Sequence, residues 1–120
     1  MTQEDKELLF KDLCARLPYG VIVVTPKGRG YVCNINLTIF DYELGVNINP
    51  IIRDPFSIND VKPYLFPLSS ITKKRLEELS EYIDIKNAYV AVDLLNSHHI
   101  DYRGLIEKGL AIDATGLNIY

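Results

Sequence analysis

Between Tyr31 and Ile48 apolar residues alternate with polar ones, and the parity of that alternation flips once, at Phe40-Asp41. A period of two marks strands with one buried face, because successive side chains of a strand point to opposite sides of the sheet. Tyr31, Cys33, Ile35, Leu37 and Ile39 share one side, with Asn34, Asn36 and Thr38 on the other. After the flip, the apolar series continues as Tyr42, Leu44, Val46 and Ile48. A turn at Phe40-Asp41 explains the flip. Antiparallel pairing of Ile39 with Tyr42 then sets Leu37 opposite Leu44, Ile35 opposite Val46 and Cys33 opposite Ile48. Phe-Asp is a poor two-residue hairpin sequence, so a wider loop is the alternative. Upstream, the β-branched run Val21-Ile22-Val23-Val24 leads into the turn-rich Pro26-Lys27-Gly28-Arg29-Gly30. The pattern predicts a three-stranded antiparallel meander whose second face is wet and lined with Asn, Thr and Glu, or covered by something polar.

The flanking segments have helical period. Thr2 is a candidate N-cap, with Asp5 three residues on in a variant of the capping box, and Glu4, Asp5 and Glu7 lie near the positive helix end. Leu9, Phe10, Leu13, Cys14 and Leu17 recur at helical spacing, which places Lys6, Lys11, Asp12 and Arg16 mainly elsewhere on the wheel; Pro18 is expected to stop the helix. Four prolines punctuate residues 49–70, so an irregular, apolar strap with at most one short strand or helical turn is expected there, with no central strand. Thr72 is a credible cap for a second helix with Leu76, Leu79, Tyr82 and Ile83 on one side. Tyr89-Val90-Ala91-Val92 fits strand or helix, Asp93 to His98 favours helix, and Arg103 to Leu110 reads as a short final helix. The fold class that results is α+β: an N-terminal helix, the meander, a Pro-rich strap, and two to three C-terminal helices packed on one sheet face.

Composition bounds the function. The 120 residues suit a single domain over 1–120, with 48% hydrophobic and 24% charged residues, enough apolar surface to argue against disorder. No apolar run approaches the roughly 20 residues of a membrane span, and the Met1 end has no secretory pattern, so a cytoplasmic protein with no membrane partner is expected. A formal charge of −3 disfavours the wrapping of duplex nucleic acid, which calls for a basic face. Cys14 and Cys33 lack zinc-binding spacing and read as reduced, buried thiols.

Two stretches, Lys6-Glu7-Leu8-Leu9-Phe10-Lys11-Asp12-Leu13-Cys14-Ala15-Arg16-Leu17-Pro18-Tyr19-Gly20-Val21 and Asn96-Ser97-His98-His99-Ile100-Asp101-Tyr102-Arg103-Gly104-Leu105-Ile106-Glu107-Lys108-Gly109-Leu110-Ala111, carry a resemblance, joined by Val61-Lys62-Pro63-Tyr64-Leu65-Phe66-Pro67-Leu68-Ser69-Ser70. Together they resemble a family of short proteins of unassigned activity, common in gut bacteria of the Bacteroides type and their mobile elements. The resemblance covers somewhat under half the chain and implies a bacterial or phage-related setting. It implies no activity and no catalytic residues.

Three clusters are candidate sites. His98, His99, Asp101, Tyr102 and Arg103 form the densest polar group; two imidazoles and a carboxylate suit a transition metal or an acid–base pair. Adjacent histidines on a helix diverge by about 100°, and no His-Glu-x-x-His motif supports them, so helix-end histidines followed by a capping Asp101 are the favoured reading. Lys73, Lys74 and Arg75, with Lys62 nearby, make the one basic cluster; with Tyr31 or Tyr64 on a small sheet it suits single-stranded nucleic acid, although Glu77, Glu78 and Glu81 favour a self-paired helix face. Gly28-Arg29-Gly30 lacks the rest of a P-loop and reads as a hairpin turn. The apolar tail, ending Leu117-Asn118-Ile119-Tyr120, either docks on its own domain or reaches a partner, with docking favoured.

No catalytic constellation is complete, and neither a cofactor nor a metal site is assigned. The leading expectation is a non-enzymatic protein-interaction or regulatory module, a monomer or weak homo-oligomer with a protein partner. A weak nucleic-acid binder is the alternative, and a metal-dependent hydrolase or nuclease built on the His-His-x-Asp cluster ranks third.

Overall fold

The computed structural model describes residues 1–38, 41–49, 52–71, 77 and 88–120. Thr2 caps helix α1 (Gln3–Arg16), its hydroxyl accepting from the Asp5 amide at 3.1 Å. That bond satisfies one of the orphan donors of the first turn. The chain passes through a 3-10 turn, Leu17–Tyr19, that holds Pro18 in its first positions, and reverses at Gly20 in the left-handed region. Pro18 therefore extends the helix end as a tighter turn, and Gly20 completes the exit.

Strand β1 (Ile22–Thr25) and β2 (Gly28–Leu37) form a hairpin whose loop is only Pro26-Lys27. The Thr25 hydroxyl accepts from the Lys27 amide and donates to the Gly28 carbonyl, which tightens the turn and draws Gly28 and Gly30 into the strand. Gly30 is required there: a Cβ would lie 2.5 Å from the Asn47 carbonyl oxygen across the ladder. Strand β3 (Tyr42–Asn49) pairs β2 with Leu37 opposite Tyr42 and Ile35 opposite Leu44, two residues away from the predicted register. The wider loop is the cause. Thr38 and Asp41 close it with three hydrogen bonds between them, the Thr38 amide and hydroxyl on the Asp41 carbonyl and the Asp41 amide on the Thr38 hydroxyl. A bulge between Val32 and Asn34 then changes the parity, so that Val32, opposite Val46, enters the core while Tyr31 turns outward. The far face carries Asn34, Asn36 and Glu43.

The proline-rich stretch departs furthest from expectation. It supplies β4 (Ile52–Ser57), a fourth meander strand, and β5 (Lys62–Pro67), which lies inside the sheet. Prolines survive because of where they fall: Pro55 is on the edge strand, and Pro63 and Pro67 are near the ends of β5. Helix α2 (Ala88–Ser97) settles 89–92 as helical and leads into β6 (Ile100–Asp101). β7 (Ile112–Asp113) follows. Among the described residues the sheet runs β4-β3-β2-β1-β5-β6, with β7 also paired to β5; the first five strands pair antiparallel, and β6 and β7 pair with β5 in parallel. The expected helix at 103–110 is a series of turns, interrupted by Gly104 and Gly109 at positive φ. The second helix expected after Thr72 falls on residues outside those described. No helix among the described residues is long and apolar enough to cross a membrane.

Leu9 and Leu13 of α1 pack with Val21, Val23, Val32, Leu44, Val46, Phe56, Ile58 and Leu65. Phe10 stacks on Tyr42 at 4.2 Å between ring centres. The helix face, however, is rotated from the expected one. Asp12 and Arg16 are fully buried, whereas Cys14 is exposed and Cys33, at the bulge, is half-buried; both thiols are free. Arg16 donates through Nε and Nη2 to both oxygens of Asp12, at 2.8 and 3.1 Å, and Arg103 Nη1 adds a third bond to Asp12 at 2.8 Å. Removing one partner of a buried pair leaves the other charge uncompensated. Asp12→Asn is expected to lower unfolding free energy by about 3–5 kcal/mol, measured by urea denaturation; a loss no larger than that of an exposed Asp5→Asn control would refute this role.

Candidate functional site: the tail, the groove and the polar network beneath

The sheet is incomplete where β1 and β5 part. Val24 pairs with Lys62 and Val23 with Pro63, but at the next position the chain end takes over. The Ile22 amide donates to the Tyr120 hydroxyl (2.9 Å), and that hydroxyl donates to the Tyr64 carbonyl (2.7 Å). One phenol thus serves a donor of β1 and an acceptor of β5. The tail docks on its own chain, and its preceding residues form one wall of an open groove of about 440 Å³. Ile22, Ile48 and Ile119 give the groove its apolar surface; Arg29, Tyr31, Asn47 and Asn118 give it polar groups.

Two groove side chains are held in place. Arg29 donates from Nε to the Tyr64 hydroxyl (3.1 Å), and its guanidinium carbon lies 5.2 Å from the centre of the Tyr64 ring. Tyr31, 47% exposed, accepts on its hydroxyl from Asn47 Nδ2 at 2.7 Å. Because Val24 pairs with Arg29 on one side and Lys62 on the other, these two exposed cations share the groove's face of the sheet.

Below the tail, the Tyr120 ring stacks on His99 at 3.6 Å and 11°. His99 follows α2 in the left-handed conformation, its amide bonded to Asn96 and its carbonyl accepting from Phe66 at the start of the β5–β6 pairing. Burial, reinforced by the Arg16 guanidinium and His98, lowers the His99 pKa from 6.5 to about 4. Burial likewise raises the Tyr120 phenol to about 12. Arg16 also donates to the Ile100 carbonyl, and both Arg16 and Arg103 lie over the Tyr102 ring, at 5.4 and 4.6 Å. Tyr102 donates to Asn96 Oδ1.

The polar cluster read from sequence is therefore divided. His98 is exposed, His99 lies beneath Tyr120, and Asp101 accepts from the Leu105 and Ile106 amides, capping a turn where a helix was expected. Tyr102 and Arg103 join Asp12 and Arg16. Among the described residues, no three His, Cys, Asp or Glu side chains are grouped to hold a metal ion. Of the basic cluster, Lys62 lies on the groove face, while Lys73, Lys74 and Arg75 fall outside the described residues. The sequence singled out Arg29 only within an exposed turn that could serve as a contact point, and Asn47 and the Asp12–Arg16 pair were missed. The i,i+4 spacing of Asp12 and Arg16, on the side of Leu9 and Leu13, was the available signal. The chain matches no family model, no curated protein and no solved structure.

Tyr120→Phe leaves a strand donor and a strand acceptor unbridged, and a loss of about 1–3 kcal/mol is expected in thermal or urea unfolding; an unchanged midpoint would contradict the bridging role. The acid limb of stability carries a second test. The folded state keeps His99 neutral down to about pH 4, whereas the unfolded chain takes up the proton near pH 6.5. Stability is therefore full above about pH 6.5 and declines as pH falls toward 4, where the unfolded state binds more protons. His99→Phe removes this component, so the gap between variant and wild type must change across that window in urea titrations; parallel curves would argue that His99 is not held neutral.

Proposed function

We propose that this protein is a non-enzymatic binding module that docks a protein partner on the open face of its sheet, in a bacterial or phage-related, cytoplasmic setting. The observation that carries the reading is the groove: a half-exposed tyrosine beside a pinned arginine, with Ile22 of the sheet, Ile48 at the edge of the core and Ile119 of the tail lining it, on a face that also carries Asn34, Asn36, Glu43 and Lys62. Tyrosine and arginine are enriched at protein interfaces because each supplies contact area with a directional polar end. The His-His-x-Asp cluster, with its members in three different surroundings, favours hydrolysis less. Single-stranded nucleic acid is the second reading, favoured by one arrangement: Arg29 and Lys62 flank Val24, and Tyr31 is next along β2 on the same face.

One experiment separates them. Tagged wild-type protein and the Tyr31→Ala/Ile119→Asp variant, matched by circular dichroism, are used for capture from a bacterial lysate and for anisotropy with a labelled oligo-dT. A stoichiometric protein retained by wild type and lost by the variant is expected, with no salt-dependent oligonucleotide binding. Capture that is identical for the two proteins, or absent, overturns the docking reading; oligonucleotide affinity that falls steeply with salt would replace it with the second.

A further inference from the structure

The groove has a chemical asymmetry that a plain docking face does not need. Arg29 is the one cation among the described lining residues, and it is fixed at two points, by the Nε bond to the Tyr64 hydroxyl and by lying over that ring. Tyr64 is itself buried, and its carbonyl is tied to Tyr120, so the platform under the arginine is rigid. With Nε occupied, the Nη atoms are left as the donors of a held fork, the geometry that matches a carboxylate or phosphate edge. Ile22, Ile48 and Ile119 line the same groove and give it apolar surface, and Tyr31 supplies an exposed ring. The volume, about 440 Å³, falls within the range of roughly 300–1,000 Å³ usual for small-molecule sites. Lys62, across Val24 from Arg29, adds a second positive charge to the approach.

We infer that the groove is an oxyanion site that takes a small organic anion, a carboxylate or phosphate on an apolar body, with the anion on Arg29 and the body between the isoleucines and Tyr31. The inference goes beyond the reading of this face as a protein-docking surface and assigns the same groove a small-molecule ligand. Holding Arg29 in advance lowers the ordering cost of binding, which is what makes a single cation sufficient for a weak, selective site. Asn118, exposed and in the left-handed conformation at the groove wall, brings a carboxamide to the same opening.

The test is titration of the ¹⁵N-labelled protein with phenylacetate, phenyl phosphate and the neutral phenylacetamide, followed by amide shifts. Saturable shifts centred on Ile22, Arg29 to Tyr31, Asn47, Ile48 and Ile119 are expected with at least one anion, at about tenfold higher affinity than with the neutral amide. The anion that binds tighter identifies the source as carboxylate or phosphate. Arg29→Gln is expected to abolish the preference for the anion, and Arg29→Lys, which keeps charge without the fork, to weaken it; the lysine variant serves if the glutamine variant does not fold. Equal affinity for anion and amide, shifts centred elsewhere, or wild-type affinity in Arg29→Lys would overturn the anion site. A protein partner still captured through Tyr31 and Ile119 alongside any of those results would leave the docking reading intact.

Discussion

The Asp12–Arg16 pair is the interaction on which the arrangement around the groove depends. Two charges on one helical turn, fully buried, are tolerable only if they are paired and hydrogen-bonded, because an isolated ion in an apolar interior is very costly. Here each is the other's partner and further ones come from outside the helix, with Arg16 Nη1 alone of the pair's buried polar atoms left without a hydrogen bond. Arg103 reaches the carboxylate from the segment after β6, Arg16 reaches the Ile100 carbonyl within β6, and both guanidinium groups lie over Tyr102. The need to satisfy a buried helix charge thus fixes where residues 100–103 run. That path in turn places His99 under Tyr120 and sets the tail against β1 and β5.

Legibility in the sequence followed the range of the forces involved. The Thr2 cap, the β1–β2 hairpin and the strand character of β2 and β3 depend on residues a few positions apart, and all three could be read directly, although Tyr31 and Leu37, expected on the apolar face of β2, are exposed. Register could not. A loop wider than two residues and a bulge at Cys33 each shift pairing without altering composition, and together they sent Tyr31 outward and Val32 inward. The prolines misled for a related reason. Their cost depends on whether a strand is at an edge and on their position along it, which only the assembled sheet determines. Pro55 sits in an edge strand and Pro63 in a central one, where at most one short strand and no central strand was expected.

The site was less legible than the fold. Polar residues adjacent in sequence, such as His98, His99 and Asp101, attract attention as a cluster, yet the backbone reversal at His99 sends them to separate surroundings. Arg29 was visible only as part of a turn, and its groove neighbours Asn47 and Asn118 lie on other elements. The helix charges gave the opposite error: a wheel assigns Asp12 and Arg16 to solvent by residue type, whereas the face they share with Leu9 and Leu13 is the buried one.

The phenol bridge between Ile22 and Tyr64 also has a kinetic meaning. The hydrogen bond from Ile22 to Tyr120 spans 98 positions, so it closes most of the sequence into a single loop. Loop closure of that span carries a larger entropy cost than the local pairing of β1 with β2 or β2 with β3. The meander belongs to the early, local part of assembly, and the tail bridge to the late part, after the strands it joins are already in place. Such late contacts act mainly on the rate of unfolding. The tyrosine that spans the gap between β1 and β5 is thus also their fastener: it contributes little to how quickly the sheet forms and more to how long it stays closed.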